Sequence, residues 1–161
     1  MISPDMMRRY AFFAGFPEAT LRDLARIGQE RKFKAGARLF EESGKLPAGE
    51  RFPRLGPPAS ELMIVTQGEV ELLTVLSSGK QVFVLNALPG DLVALSSLLD
   101  PPEYLFTAVA RTDGSLVSFD AEKLHALCDQ DNALGYRLMR RIANDLRNRL
   151  GQVAVQLAGM S

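Results

Sequence analysis

Apolar positions along the chain change period twice. Between Pro4 and Arg31, residues Phe12, Phe13, Phe16, Leu21, Leu24, Ala25 and Ile27 recur at helical intervals, and Pro17 after Gly15-Phe16 suits a turn feeding a second helix. Two short helices are therefore expected to open the domain. From Phe33 onward the apolar stretches shorten to Arg38–Glu41, Leu62–Thr66, Val70–Leu76, Gln81–Ala87, Leu92–Ala94, Phe106–Ala110 and Ser115–Phe119. Runs of this length between turn residues predict strands at the spacing of a compact antiparallel barrel or roll. Gly36, Gly68, Gly79 and Gly90 punctuate them, with Ser78-Gly79 as a hairpin turn. At Asp120 the pattern turns helical again, Asp120 serving as N-cap to a helix through Lys123–Leu127.

Composition adds limits. The 161 residues suit one domain with a full core, and 19 basic against 19 acidic side chains give no global field toward nucleic acid. The lone Cys128 excludes an internal disulfide, the opening MISPDMMRRY has no signal-peptide core, and no segment approaches the roughly 20 apolar residues that span a bilayer. A reducing cytoplasm is the expected location, with no membrane partner.

Several motifs occur in a fixed order: F-F-x-G-F-x-x-x-x-L-x-x-L-A-x-I from Phe12 to Ile27, F-x-x-G-x-x-L-F-E-E from Phe33 to Glu42, Q-G-E-V-E-L from Gln67 to Leu72, and P-G-D from Pro89 to Asp91. The stretch from Gly90 to Arg111, GDLVALSSLLDPPEYLFTAVAR, resembles without a gap the pattern G-D-x-F-G-E-x-A-L-L, a short loop, then R-[ST]-A-[ST]-V-x-A. On these motifs nearly the whole chain resembles the cyclic nucleotide-binding domain family, in particular the sensor domain of catabolite activator protein-like regulators. The resemblance implies a mainly β fold with flanking helices: a double-stranded β-roll of the jelly-roll kind over residues 32–119, N-terminal helices over 1–31 and C-terminal helices over 120–158, the last beginning at Asp131–Asn132.

It also implies where a ligand would sit: Gly90, Asp91, Val93, Ala94, Leu95, Ser96, Ser97, Tyr104, Leu105 and Thr107. Two of the departures from the pattern remove polar or charged contacts. Leu95 stands where the family has the Glu that accepts from the ribose hydroxyl, and Tyr104 where it has the Arg that pairs with the cyclic phosphate. Helix-start amides and the hydroxyls of Ser96 and Ser97 still favour an anion, but a phenol does not replace a guanidinium. Losing such charged contacts costs about 1.5–3 kcal/mol each, so two together remove roughly 10²–10⁴ in affinity. Arg111 lies on the other side of the strand alternation, Glu103 would repel a phosphate, and a distant arginine such as Arg38 or Arg54 is the remaining candidate to substitute. With Val93, Leu105 and Phe106 nearby, the pocket is expected to be apolar, either filled or suited to a weakly polar ligand. A further departure is the Pro- and Gly-rich connection Ser43–Ser60, longer than the family usually has. It reads as a tolerated insertion or as a lid with Phe52, Arg54 and Leu55 as contacts.

In the last helix Met139, Ala143, Leu146, Leu150, Val153 and Leu157 step by 4, 3, 4, 3 and 4, the heptad spacing of a helix that packs on its own roll or pairs with a second copy. The resemblance favours the homodimer. Gly151 weakens this helix yet permits close approach at a crossing. Arg137, Arg140, Arg141, Arg147 and Arg149 flank the seam and read as a solvated face, with Asp145 and Glu122 as partial counter-charges. The family's transcription factors place a helix-turn-helix after this helix. Here the sequence ends at Gly159-Met160-Ser161, so sequence-specific DNA binding is not expected. The roll is similar in outline to cupins, whose metal sites need several histidines; His125 is the only one, and Cys128 has no histidine to act as its base. No P-loop or dinucleotide glycine pattern occurs. The expectation is a non-catalytic regulatory or interaction domain, without metal or cofactor, that does not take cyclic AMP or cyclic GMP by the family's contacts. The alternative is a sensor for such a nucleotide or another small effector that signals through the dimer helix to a partner protein.

Overall fold

The computed structural model describes residues 2–42, 59–76 and 78–160. Ser43–Pro58 lie outside the described residues, and with them Phe52, Arg54 and Leu55 of the long connection. A short helix α1 (Pro4–Met7) capped by Ser3, a 3₁₀ turn over Ala11–Phe13 and α2 (Glu18–Ile27) open the chain. The strands follow as β1 (Gly28–Phe33), β2 (Arg38–Phe40), β3 (Glu61–Gln67), β4 (Val70–Val75), β5 (Gln81–Ala87), β6 (Leu92–Val93), β7 (Thr107–Ala110) and β8 (Gly114–Asp120). A second 3₁₀ turn, Leu95–Leu98, separates β6 from β7, and α3 (Ala121–Gln130) and α4 (Asn132–Gly159) close the chain. The strands form two antiparallel four-stranded sheets, ordered β1-β8-β3-β6 and β2-β7-β4-β5. This is a β-roll with helices at its flank.

The helical reading through Arg31 is overturned, because β1 begins at Gly28 and pairs with β8 along its whole length. Its sequence GQERKF buries only its two ends, so no alternation marks it as a strand; pairing of its backbone with β8 decides the conformation. The other predicted strands stand within a residue or two of their expected bounds, and Gln81–Ala87 agrees at both ends. Both C-terminal helices start at the expected caps, Asp120 accepting from the Lys123 amide at 2.9 Å and Asp131 from the Leu134 amide at 3.1 Å.

Two hydrophobic clusters share the first sheet as a wall. Leu62 and Ile64 of β3, Leu92 of β6 and Val117 and Phe119 of β8 face the helices, meeting Phe13, Leu21, Leu24, Leu124, Leu134, Leu138 and Ile142. Met63, Val65, Val93 and Leu116 face the other way, into the roll, against Val70, Leu72, Leu85 and Ala108. Burial on both faces is why Leu62–Val65 is a continuous apolar run rather than an alternating one. The C-terminal helix packs through Leu134, Leu138 and Ile142, not through the heptad seam. Further along, the Gln156 side-chain amide donates to the Val84 carbonyl of β5 at 2.9 Å, so α4 runs beside an edge of the second sheet.

Candidate ligand site in the roll

The turn before β6 is set by Gly90 at φ +95°, whose amide donates to Val65 O at 2.7 Å, and by Asp91, whose carboxylate accepts the Leu88 amide at 2.9 Å. Both residues shape the backbone rather than face the cavity. Val93 is sealed in the roll core, and the Thr107 hydroxyl accepts the Glu42 amide at 3.1 Å. Four of the expected ligand residues, Ala94, Leu95, Ser96 and Leu105, do line a cavity of about 240 Å³. Its other walls come from Phe40, Leu72, Leu85 and Phe106 of the roll and from Leu146, Arg149, Leu150 and Val153 of α4.

Ala94 adopts φ 59°, ψ 29°, left-handed backbone that favours glycine, and the second glycine of the cassette pattern falls on this position. Leu95 then starts the 3₁₀ turn. The Ser96 hydroxyl donates to the Glu103 carbonyl, which removes it as a ready ligand donor. Ser97 is buried and its hydroxyl has no hydrogen-bond partner among the described residues. The anion-friendly turn expected from these hydroxyls is thus a packed one.

Tyr104 does not enter the cavity. Its ring stacks on Phe40 and its hydroxyl engages Ser60, close to Glu61 and Arg31; burial, ahead of all other causes, pushes the phenol above its ordinary value. Arg38 is committed to Glu41 at 2.9 Å, and Arg54 lies outside the described residues. The arginine that the structure brings to the cavity is Arg149, from α4.

Arg149 corrects the reading of a solvated arginine face. Its guanidinium donates to the Leu92 carbonyl of β6, and its Nε lies 2.8 Å from Asp145 Oδ2. That oxygen sits off the N–H direction, so the contact is an ion pair without a hydrogen bond. Burial draws Arg149 below its ordinary value, opposed by the charges of Asp145 and Asp91. Burial also pushes Asp145 up, against the pull of Arg149 and with the charge of Asp91 adding to the rise. One cation between two carboxylates leaves no net positive charge for a phosphate. Asp91, Asp145 and Arg149 also border a small polar cleft with Asn86, Asn148 and Gln152.

Two more arginines of that face are tied inward. Arg137 donates to Gly15 O at 3.0 Å and Arg141 to Ala11 O at 3.1 Å and to Ala14 O, fastening the first 3₁₀ turn to α4. Arg140 lies over the Tyr136 ring, 5.9 Å from its centroid. Arg147 is exposed. Of the seam, Met139, Ala143, Leu146, Leu150 and Leu157 remain exposed on the single chain, whereas Val153 is half-buried in the cavity wall. His125 is exposed, and Cys128 is half-buried with its thiol pushed up by burial and then by Asp129 and Asp131. Among the described residues no cluster of three or more His, Cys, Asp or Glu could hold a metal ion, and no helix is long and apolar enough to cross a membrane.

Residues 43–131 match the family of the cyclic nucleotide-binding domain. A protein of Geobacter metallireducens classed among the cyclic nucleotide-binding proteins is 32% identical, with a TM-score of 0.75 over 93% of this chain and 99% of that one. The chain belongs to the cyclic nucleotide-binding domain family. It is also similar to the catabolite activator protein of Thermus thermophilus, at 25% identity and TM-score 0.67, covering 98% of this chain and 63% of the activator. The fold recurs in the sensor domain of the transcriptional regulator DNR of Pseudomonas aeruginosa, 17% identical with TM-score 0.68 over 91% of this chain and 90% of that domain. No curated protein matches the chain. The sequence motifs place Ala94, Leu95, Ser96 and Leu105 where the structure has the cavity wall. They missed the wall supplied by α4, for which the available signal was the i,i+4 spacing of Asp145 and Arg149.

Proposed function

We propose that this domain is a regulatory sensor whose roll takes a small effector other than a cyclic nucleotide, and that it acts non-catalytically through α4 on a second copy of the chain or on a partner protein. The observation that carries this reading is the roll cavity, open and apolar, whose single lining cation among the described residues is held by Asp145 and Leu92. An open cavity favours a sensor over a purely structural module. The position of Leu146, Leu150 and Val153 in its wall gives an effector direct contact with α4. The exposed seam of the same helix supports pairing with a second copy, since an apolar stripe of this length is costly to leave in water.

Calorimetry with millimolar cyclic AMP and cyclic GMP tests the reading. No saturable heat is expected. Binding tighter than about 10 μM would overturn it, since the missing ribose and phosphate contacts are each worth about 1.5–3 kcal/mol.

A further inference from the structure

We infer that the effector is an uncharged, mostly apolar molecule carrying one hydrogen-bond acceptor, which it presents to Arg149. The inference rests on the roll being a ligand site, as proposed above, and adds the class of ligand. Size comes first. A dry cavity of about 150 Å³ lined by aliphatic and aromatic side chains holds benzene, so about 240 Å³ accommodates a molecule of about ten heavy atoms, open on one side to something longer.

The walls decide polarity. Phe40, Leu72, Leu85, Leu95, Leu105 and Phe106 offer no hydrogen bond, and Ser96 has spent its proton on Glu103. Among the described residues Arg149 is the one lining side chain with N–H groups left over: of its five, one goes to Leu92 O and the Nε side meets Asp145. A ligand oxygen that reaches the guanidinium gains a hydrogen bond that a purely apolar ligand forgoes.

Charge decides the rest. An arginine at a pocket ordinarily advertises for a carboxylate or phosphate. This one already stands between two carboxylates, Asp145 in contact and Asp91 near enough to perturb both partners. A ligand anion would be the third negative charge around one positive charge in a poorly hydrated site, where like charges repel strongly. A ketone, amide or ether oxygen accepts the same hydrogen bond without that repulsion. The cavity therefore selects against the anions that the family's fold would lead one to test.

Two molecules of nearly the same shape separate these cases: 2-acetylnaphthalene, which is neutral, and 2-naphthoate, which is not. Titration of the full chain by calorimetry, with NMR to locate the site, is expected to show one saturable site for the ketone, with shifts at Leu95, Leu105 and Leu150. The carboxylate should bind at least about tenfold more weakly, a gap of about 1.4 kcal/mol. Leu105→Trp, at the exposed rim, should abolish the ketone site while leaving the fold intact. Asp145→Asn, if it folds, should narrow the gap between the two ligands; if it does not, the ratio in the parent chain and the rim variant decide alone. Equal or tighter binding of the carboxylate, binding indifferent to Leu105→Trp, or no binding of either molecule to the folded parent would each overturn the inference. The cyclic nucleotide titration is read separately, and its failure would leave the ketone-to-carboxylate ratio standing.

Discussion

Tyr104 lies flat against Phe40, with ring centroids 4.3 Å apart and planes inclined by 15°. The position that carries the phosphate-binding arginine in the family pattern is here part of an aromatic stack on the outer side of Phe40. Tyr104→Ala should lower stability by about 0.5–1.5 kcal/mol for the lost stack beyond its buried area, measured by urea denaturation. Tyr104→Arg should not restore cyclic nucleotide binding, because the side chain leaves toward Ser60, Arg31 and Glu61. Micromolar binding of cyclic AMP by that variant would show that the site can be rebuilt by one residue.

Ala94 holds φ 59°, which costs an L-residue about 1–2 kcal/mol. Ala94→Gly removes that strain but frees the unfolded chain by about 0.4–1 kcal/mol. A net gain of up to about 1.5 kcal/mol in the free energy of unfolding is expected. A loss would mean that the buried methyl group matters more than the backbone.

The Ser97 hydroxyl is buried without a hydrogen-bond partner among the described residues. Ser97→Ala should raise stability by about 1 kcal/mol, the desolvation cost of an unpaired hydroxyl. Destabilisation of the same size would reveal a partner, such as a bound water, that satisfies it.

Asp113 accepts the Ala35 amide at 2.8 Å and faces Lys34, and these two contacts, in that order, hold its carboxyl below the ordinary value of 3.8. A depressed acid stabilises the fold above its unfolded pKa, and the contribution disappears as pH falls through the folded value. The melting temperature of the parent should exceed that of Asp113→Asn at neutral pH, and the two should converge on acidification. A constant difference down to about pH 2 would contradict the assignment.

Met139 and Leu157, the ends of the exposed seam, stand outside the cavity wall, 36% and 64% exposed. Replacing both by Glu tests pairing without disturbing the ligand site, which the seam's middle residues Leu146 and Leu150 cannot do. Sedimentation should show a dimer for the parent and a folded monomer for the double variant. A parent that is monomeric at tens of micromolar would leave the stripe to another partner.

How far the sequence revealed this arrangement depended on whether local pattern and tertiary contact agreed. They agree in β5, where a short apolar run between the Gly79 turn and the Gly90 turn marks both ends, and at the Asp120 and Asp131 caps. They disagree in β1, whose charged interior hides a strand made by pairing with β8. The heptad in α4 was legible as an apolar stripe, but spacing cannot say whether a stripe meets a roll, a cavity or a second helix. Here Leu146, Leu150 and Val153 border the cavity, and the inward packing is done by Leu134, Leu138 and Ile142. Arg149 looked like its solvated neighbours because burial is a property of where the helix lies, not of the residue.

The bond from Gln156 to Val84 makes α4 a guard as well as a wall. The last strand of the second sheet, β5, has no neighbouring strand on its outer side among the described residues and carries Val82, Phe83 and Val84 in succession. An uncovered edge of this kind recruits strands from other molecules, and the helix closes it with a side-chain amide at 2.9 Å. Whatever lifts the end of α4 away from the roll also opens a template for aggregation, so solubility limits how far this helix can leave its place.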